Sequence, residues 1–139
     1  TNGRLSPDGR YLAYCSDESG VYEVYVRPFG VGGRAWQASR NGGCQPRWSK
    51  AGKELFFVTG STLMFAPLAE DGGSPAGPPV ALFDHAGLAT NSPFTTTYDV
   101  APDGETFALV DTLEPARGTS TGSVVRVVEN WRAELNGAR

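Results

Sequence analysis

Apolar and polar residues alternate along this chain in short runs, and stretches rich in glycine and proline separate the runs. Alternation with a period of two is typical of a half-buried β-strand, and the runs are rich in β-branched and aromatic residues, which favour strands. The pattern predicts short strands at 11–15, 21–26, 35–38, 45–48, 55–58, 63–68, 80–83, 97–100, 107–110 and 124–128.

One turn sequence occurs three times, each time directly before an apolar strand. The copies are SPDGRYLAY at 6–14, SKAGKELFF at 49–57 and APDGETFAL at 101–109, offset by 43 and 52 residues. Proline sets φ near −65° at the second position of such a turn, aspartate caps it, and glycine adopts positive φ. Each copy therefore predicts a hairpin between two antiparallel strands.

The repeat predicts an all-β fold, a β-propeller segment of about three four-stranded antiparallel blades. Four short strands in a unit of 40–50 residues are typical of a propeller blade. We assign 1–43 to blade 1, 44–95 to blade 2, 96–131 to blade 3 and 132–139 to a C-terminal tail, all within one segment spanning 1–139. An antiparallel sandwich whose turns share their chemistry is the alternative.

The repeats depart from their pattern in three places. Lys50 and Ala51 replace the Pro-Asp pair in the second turn, the first blade lacks most of its innermost strand, and the third lacks an outermost strand after Trp131. Closed propellers have about four to eight blades, and an open arc would expose strand edges and apolar faces. We therefore expect a part of a longer propeller, or two chains that close a six-bladed ring as a homo-oligomer.

Composition supports a globular, turn-rich chain. Hydrophobic residues make up 40% and charged residues 19%, while 18 glycines and 10 prolines leave little room for long helices. The net charge is −3 and the basic residues are scattered, which argues against a nucleic-acid partner. No apolar stretch approaches the ~20 residues that cross a bilayer, so we expect no membrane segment.

The two cysteines, Cys15 and Cys44, are 29 residues apart and form no C-x-x-C motif. Because a free cysteine packs like a small apolar residue, we expect two separate half-buried thiols. A disulfide between them is the alternative, although two cysteines are far fewer than a disulfide framework requires.

The only sequence that matches a nucleophile motif is Gly118-Thr119-Ser120-Thr121-Gly122, which fits G-x-S-x-G. That motif needs a preceding strand and a following helix, whereas a β-rich run follows here, so we expect a loop. The single histidine, His85, is expected in a loop and has no second partner for a zinc site.

Other polar clusters also lack the context that chemistry requires. Acidic residues are dispersed without a calcium loop, and Gly30-Val31-Gly32-Gly33 has no helix after it that would cradle a phosphate. The sequence therefore predicts no catalytic, cofactor-binding or metal-binding residues and no cofactor. We expect packing between blades, or a surface at one mouth of the channel, for the strand aromatics Tyr11, Tyr14, Tyr22, Tyr25, Phe56, Phe57, Phe65 and Phe107.

The motif at 6–14, followed by Val24-Tyr25-Val26, resembles the repeat of TolB-like, WD-repeat-like bacterial propellers, and Pro46-Arg47-Trp48-Ser49 resembles their innermost strand. Segments 98–104 and 124–135 are similar to the C-terminal end of propellers appended to bacterial serine/threonine protein kinases. The resemblance implies a periplasmic or otherwise extracytoplasmic sensor or scaffold.

We therefore expect a non-catalytic module, not an enzyme, that binds a protein partner or a small ligand at the propeller mouth. Two alternatives stay open. One is the gating domain of a prolyl-oligopeptidase-type serine peptidase, and the other is a TolB-like periplasmic scaffold. The tail at 129–139 has the spacing of a short helix, with Trp131 and Leu135 four residues apart, but an end of this kind more often docks on the last blade as a lid.

Overall fold

The computed structural model describes residues 3–30, 32–70, 74–89, 92, 95–113 and 122–128. Within these ranges the chain forms three antiparallel sheets and one 3₁₀ turn at Ala86–Leu88. The strands are β1 Arg4–Leu5, β2 Tyr11–Ser16, β3 Glu23–Pro28, β4 Trp36–Gln37, β5 Cys44–Trp48, β6 Glu54–Thr59, β7 Thr62–Pro67, β8 Val80–Asp84, β9 Tyr98–Val100, β10 Phe107–Leu113 and β11 Gly122–Val128. In this part of the chain, no helix has the length and apolar character needed to cross a membrane.

Each sheet is a meander in which consecutive strands are neighbours. The first sheet has the order β1-β2-β3-β4, the second β5-β6-β7-β8, and the third β9-β10-β11. The predicted all-β fold, a partial propeller-like segment, is confirmed. The innermost strand of the first sheet is a two-residue strand that pairs Arg4 with Ala13 and Leu5 with Leu12. The question of a strand after Trp131 lies outside the described residues.

The three predicted turns have the same backbone hydrogen bonds. The first residue of each turn donates its N–H to the carbonyl five residues later: Ser6 to Tyr11 at 2.8 Å, Ser49 to Glu54 at 2.9 Å and Ala101 to Thr106 at 2.8 Å. The glycine of each turn has positive φ, +75° at Gly9, +71° at Gly52 and +68° at Gly104. Glycine is favoured there because it has no Cβ to clash.

A carboxylate completes the first and third turns. Asp8 accepts hydrogen bonds from the Ser6 hydroxyl at 2.7 Å, the Arg10 backbone N–H at 3.0 Å and the Arg10 Nε at 2.8 Å. These donors, the Ser6 hydroxyl first, lower the pKa of Asp8 to about 2. Asp103 accepts from the backbone N–H groups of Glu105 and Thr106, and its pKa is likewise lowered.

The second turn keeps the backbone geometry without this carboxylate. Ala51 occupies the position of Asp8, and the Oγ of Ser49 is buried with no hydrogen-bond partner among the described residues. The departure of the second turn from the repeat pattern therefore affects its side-chain cap and not its backbone hydrogen bonds.

The sheets pack face to face and enclose two separate cores. Strand β6 contributes to both, because its alternate residues point to opposite faces. The core between the first two sheets contains Ala13, Val24, Val26, Ala38, Leu55, Phe57, Ala66 and Leu68. The core between the second and third sheets contains Phe56, Val58, Leu63, Leu88, Tyr98, Phe107 and Leu109.

Cys15 and Cys44 form a disulfide with a Cα–Cα distance of 5.2 Å, so the expectation of two separate thiols is wrong. Cys15 lies in β2 and Cys44 begins β5, and these strands contact each other across the first inter-sheet interface. A separation of 29 residues gives no sign of this contact, because it arises from sheet packing and not from local pairing.

We expect the double variant Cys15→Ser, Cys44→Ser to lower the free energy of unfolding by about 2–4 kcal/mol, since the cross-link restricts the unfolded chain. Urea unfolding of the oxidised protein and the variant measures this difference. A thiol reductant should destabilise the wild-type protein and leave the variant unchanged. Equal stability of the two proteins would show that the link contributes nothing.

We expect Ala51→Asp to raise the free energy of unfolding by about 0.5–1.5 kcal/mol, because the new carboxylate gives the buried Ser49 hydroxyl an acceptor. Thermal and urea unfolding at pH 7 test this. The gain should fade as the pH drops through the range in which a turn aspartate protonates. A variant no more stable than the wild type at pH 7 would contradict the proposed equivalence of the turns.

Candidate binding surface

The innermost strands β1, β5 and β9 lie side by side and are joined by aromatic donors. The indole Nε1 of Trp48 donates to the Arg4 carbonyl oxygen at 2.9 Å, and the Tyr98 hydroxyl donates to the Gln45 carbonyl oxygen at 2.8 Å. A side chain of one sheet thus bonds the backbone of the sheet before it. The pattern fixes the lateral spacing of the sheets where their innermost edges meet.

Gln45 supports this junction in an unusual backbone conformation. Its φ is +59° and it is only 2% exposed, at an irregularity in the pairing of β5 with β6. Its Oε1 accepts from the Thr97 backbone N–H at 2.7 Å and from the Thr97 hydroxyl at 3.0 Å. A non-glycine residue persists in this region only where its surroundings hold it, and here the contacts to the third sheet do so.

A buried carboxylate holds the connection between the first two sheets. Glu23 is 4% exposed, and its side chain accepts from the Gly42 backbone N–H at 2.9 Å and from the Ser39 hydroxyl. Ser39 Oγ in turn accepts from the Val24 N–H at 2.8 Å. These hydrogen bonds attach the 39–44 connection to β3.

The three turns form a continuous surface at one end of the sheets. A Cβ placed on Gly52 would lie 3.5 Å from Pro7 Cδ, and one on Gly104 would lie 3.8 Å from Ser49 Cβ. Between the first and second turns lies a groove of about 310 Å³. Its charged and aromatic lining residues are Asp8, Arg10, Tyr11, Lys50, Lys53 and Glu70.

Sequence reasoning missed Gln45, Glu23 and the groove. A glutamate inside an otherwise apolar strand is a signal that could have pointed to Glu23, because a carboxylate there needs buried donors. The groove had no signal of its own. It depends on how two turns 43 residues apart pack against each other.

His85 lies in a loop, as predicted, and caps the 3₁₀ turn. Its Nδ1 accepts from the Gly87 N–H at 2.9 Å. Residues 118–121 of the G-x-S-x-G match lie outside the described residues, and its last residue, Gly122, begins β11. The tail at 129–139 also lies outside them. Among the residues that are described, no three His, Cys, Asp or Glu side chains gather as a metal site would require.

Several of the strand aromatics pack between sheets. Phe56, Phe57 and Phe107 are fully buried, and the rings of Phe56 and Phe107 meet edge to face with centroids 5.0 Å apart. Tyr14 and Tyr25 instead stack 5.7 Å apart on the opposite face of the first sheet from the core residues Ala13 and Val24. That face meets no other sheet in the described structure.

No protein-family model matches the chain, and no curated protein matches it. Among solved structures, the chain is similar to TolB from Acinetobacter baumannii, with 17% sequence identity and a TM-score of 0.40. The similarity covers 92% of this chain and 41% of that one, so the chain spans less than half the length of that protein.

We expect Tyr98→Phe to lower the free energy of unfolding at pH 7 by about 1–2 kcal/mol, because the buried Gln45 carbonyl loses its donor. Burial raises the pKa of Tyr98 well above its ordinary value. An unfolded tyrosine ionises near pH ~10, so the wild-type protein should lose stability as the pH rises past that value.

Urea unfolding between pH 7 and pH 11 measures both effects. The phenylalanine variant should show a smaller alkaline loss than the wild type, whereas Tyr22→Phe, at an exposed tyrosine, should leave that loss in place. An alkaline loss of the same size in Tyr98→Phe and in the wild type would contradict the assignment.

Proposed function

We propose that this chain is a non-catalytic propeller segment that binds a protein partner or a small ligand, and that further blades of the same kind cover its two outward sheet faces. The observation that carries the proposal is the equivalence of faces across the repeats. Ala13 faces the second sheet, and Phe56, 43 positions later, faces the third.

The equivalent position in the third sheet is Ala108, which pairs with Val127 and Asp99. No described sheet covers this face. Val127 is 54% exposed there, and a shallow hollow of about 240 Å³ runs along the face. The face of the third sheet that carries Ala108 is thus equivalent to the faces of the first and second sheets that pack against the following sheet.

The opposite end shows the complementary situation. Leu55 and Phe57 of the second sheet are buried against the first, and their equivalents in the first sheet are Leu12 and Tyr14. Leu5 pairs with Leu12 and is 49% exposed. This face of the first sheet is therefore equivalent to the face of the second sheet that packs against the sheet before it.

The binding role follows from how such a scaffold works. Stacked sheets hold loops in fixed positions, and propellers use those loops to bind partners. The sequence resemblance of segments 98–104 and 124–135 supports an extracytoplasmic sensor linked to a kinase. The coding sequence on either side discriminates the rivals: a kinase and a membrane helix upstream favour the sensor, a hydrolase downstream favours the peptidase gate, and a signal peptide without a kinase favours the scaffold.

We expect the 139-residue chain to self-associate in light scattering, with a mass above the 14.7 kDa of one copy, because two apolar faces are uncovered. Val127→Asp should shift it towards the monomer. Val21→Asp, which adds the same charge at a valine that is 56% exposed outside the strands, should not. If the wild-type chain is a monomer at all concentrations, the proposal that further blades cover these two faces is wrong.

The binding role is tested on the associated protein with a thermal-shift panel of small molecules and a pull-down from the envelope fraction of the source organism. A ligand or partner that raises the unfolding midpoint supports the proposal. Failure of both searches would overturn it.

A further inference from the structure

The groove between the first and second turns carries positive charge that is neutralised in the first repeat but not in the second. Arg10 lines the groove, and its Nε lies 2.8 Å from Asp8 Oδ2 in an exposed ion pair. Lys53 occupies the equivalent position of the second repeat, where Ala51 replaces the aspartate. The second turn has thus kept the cation and lost the carboxylate that would neutralise it.

Lys50 adds a second ammonium group at the groove. It stands where the other two turns have Pro7 and Pro102. Within the described part of the chain, neither Lys50 nor Lys53 lies within ion-pair distance of a carboxylate. Among the described lining residues Glu70 is the other acidic one, so three cations there face two carboxylates, one of which is already bound to Arg10.

The first turn supplies an apolar wall opposite these lysines. Tyr11 and Pro7 line the groove, and the Tyr11 ring lies near the Trp36 ring, at a centroid distance of 6.3 Å, and near the Arg10 guanidinium at 5.5 Å. A ring fixed in this way offers contact area at little cost in conformational entropy.

We propose that this groove binds an acidic peptide segment, with a carboxylate between Lys50 and Lys53 and a neighbouring apolar side chain on Tyr11 and Pro7. The volume of about 310 Å³ lies at the small end of ligand sites, which suits a few residues of an extended segment. The small excess of positive charge suits a single carboxylate better than a polyphosphate. The inference rests on the binding role proposed above, but it does not depend on closure of the ring.

Binding is measured by fluorescence anisotropy with a labelled hexapeptide that alternates glutamate and leucine. The matched peptide with glutamine in place of glutamate should bind about tenfold more weakly, and added salt should weaken the acidic peptide, because the contact is between exposed charges. Inorganic phosphate alone should not displace it. Equal binding of the two peptides, or displacement by phosphate, would overturn the assignment.

Variants place the site within the molecule. Lys50→Glu, Lys53→Glu should lower the affinity about tenfold or more, since two exposed contacts turn from attraction to repulsion. Arg34→Glu, Arg40→Glu makes the same change in net charge at exposed arginines outside the groove, and it should leave the affinity within about twofold. Equal losses in the two double variants would show a general charge effect instead of a site.

The variant Ala51→Asp distinguishes an effect on peptide binding from an effect on the stability of the fold. It restores the missing carboxylate, so it should weaken peptide binding while stabilising the turn, and Ala51→Asn should stabilise the turn with little effect on binding. Opposite signs for stability and affinity cannot arise from damaged folding. If no acidic peptide binds but the searches described above find another partner, this inference fails and the proposed binding role stands.

Discussion

Strand β6 is buried on both faces, and the positions of all three sheets depend on it. Leu55 and Phe57 form the core with the first sheet, while Phe56 and Val58 form the core with the third. All four side chains are 5% exposed or less. Because each buried residue of this size contributes about 1.5–3 kcal/mol of hydrophobic stabilisation, the strand joins three sheets that would be marginal alone.

Directional contacts then fix the positions of the three sheets relative to one another around β6. The Trp48 and Tyr98 bonds to backbone carbonyls, the Gln45 amide and the Cys15–Cys44 link all cross from one sheet to the next. Hydrophobic burial is not directional, so it would allow neighbouring sheets to slide. The crossing bonds restrict that motion, and all four contacts involve residues of the single strand β5.

The local fold was predictable from the sequence because its causes are local. Turn chemistry at Asp8-Gly9 and Asp103-Gly104, together with alternation along each strand, indicates hairpins without reference to distant residues. The pairing of Cys15 with Cys44 and the groove beside Lys53 depend on contacts between repeats, and the hydrogen bonds of Glu23 depend on how the 39–44 connection folds back onto β3. An alternating pattern shows which residues are buried, but it does not show which residue of another sheet they will meet.

The two faces of every sheet differ, and this gives the stack a direction. One face of the third sheet presents Phe107 and Leu109 to its neighbour, and the other presents Ala108 and Val127. A contact between unlike faces is heterologous, so two copies of this chain would have to form the same contact twice to make a closed ring. If the blades of one copy subtend no whole fraction of a circle, that same contact adds copies without closing and produces a filament. The angle between neighbouring sheets, set at the β5 junctions, therefore decides between a discrete assembly and a polymer.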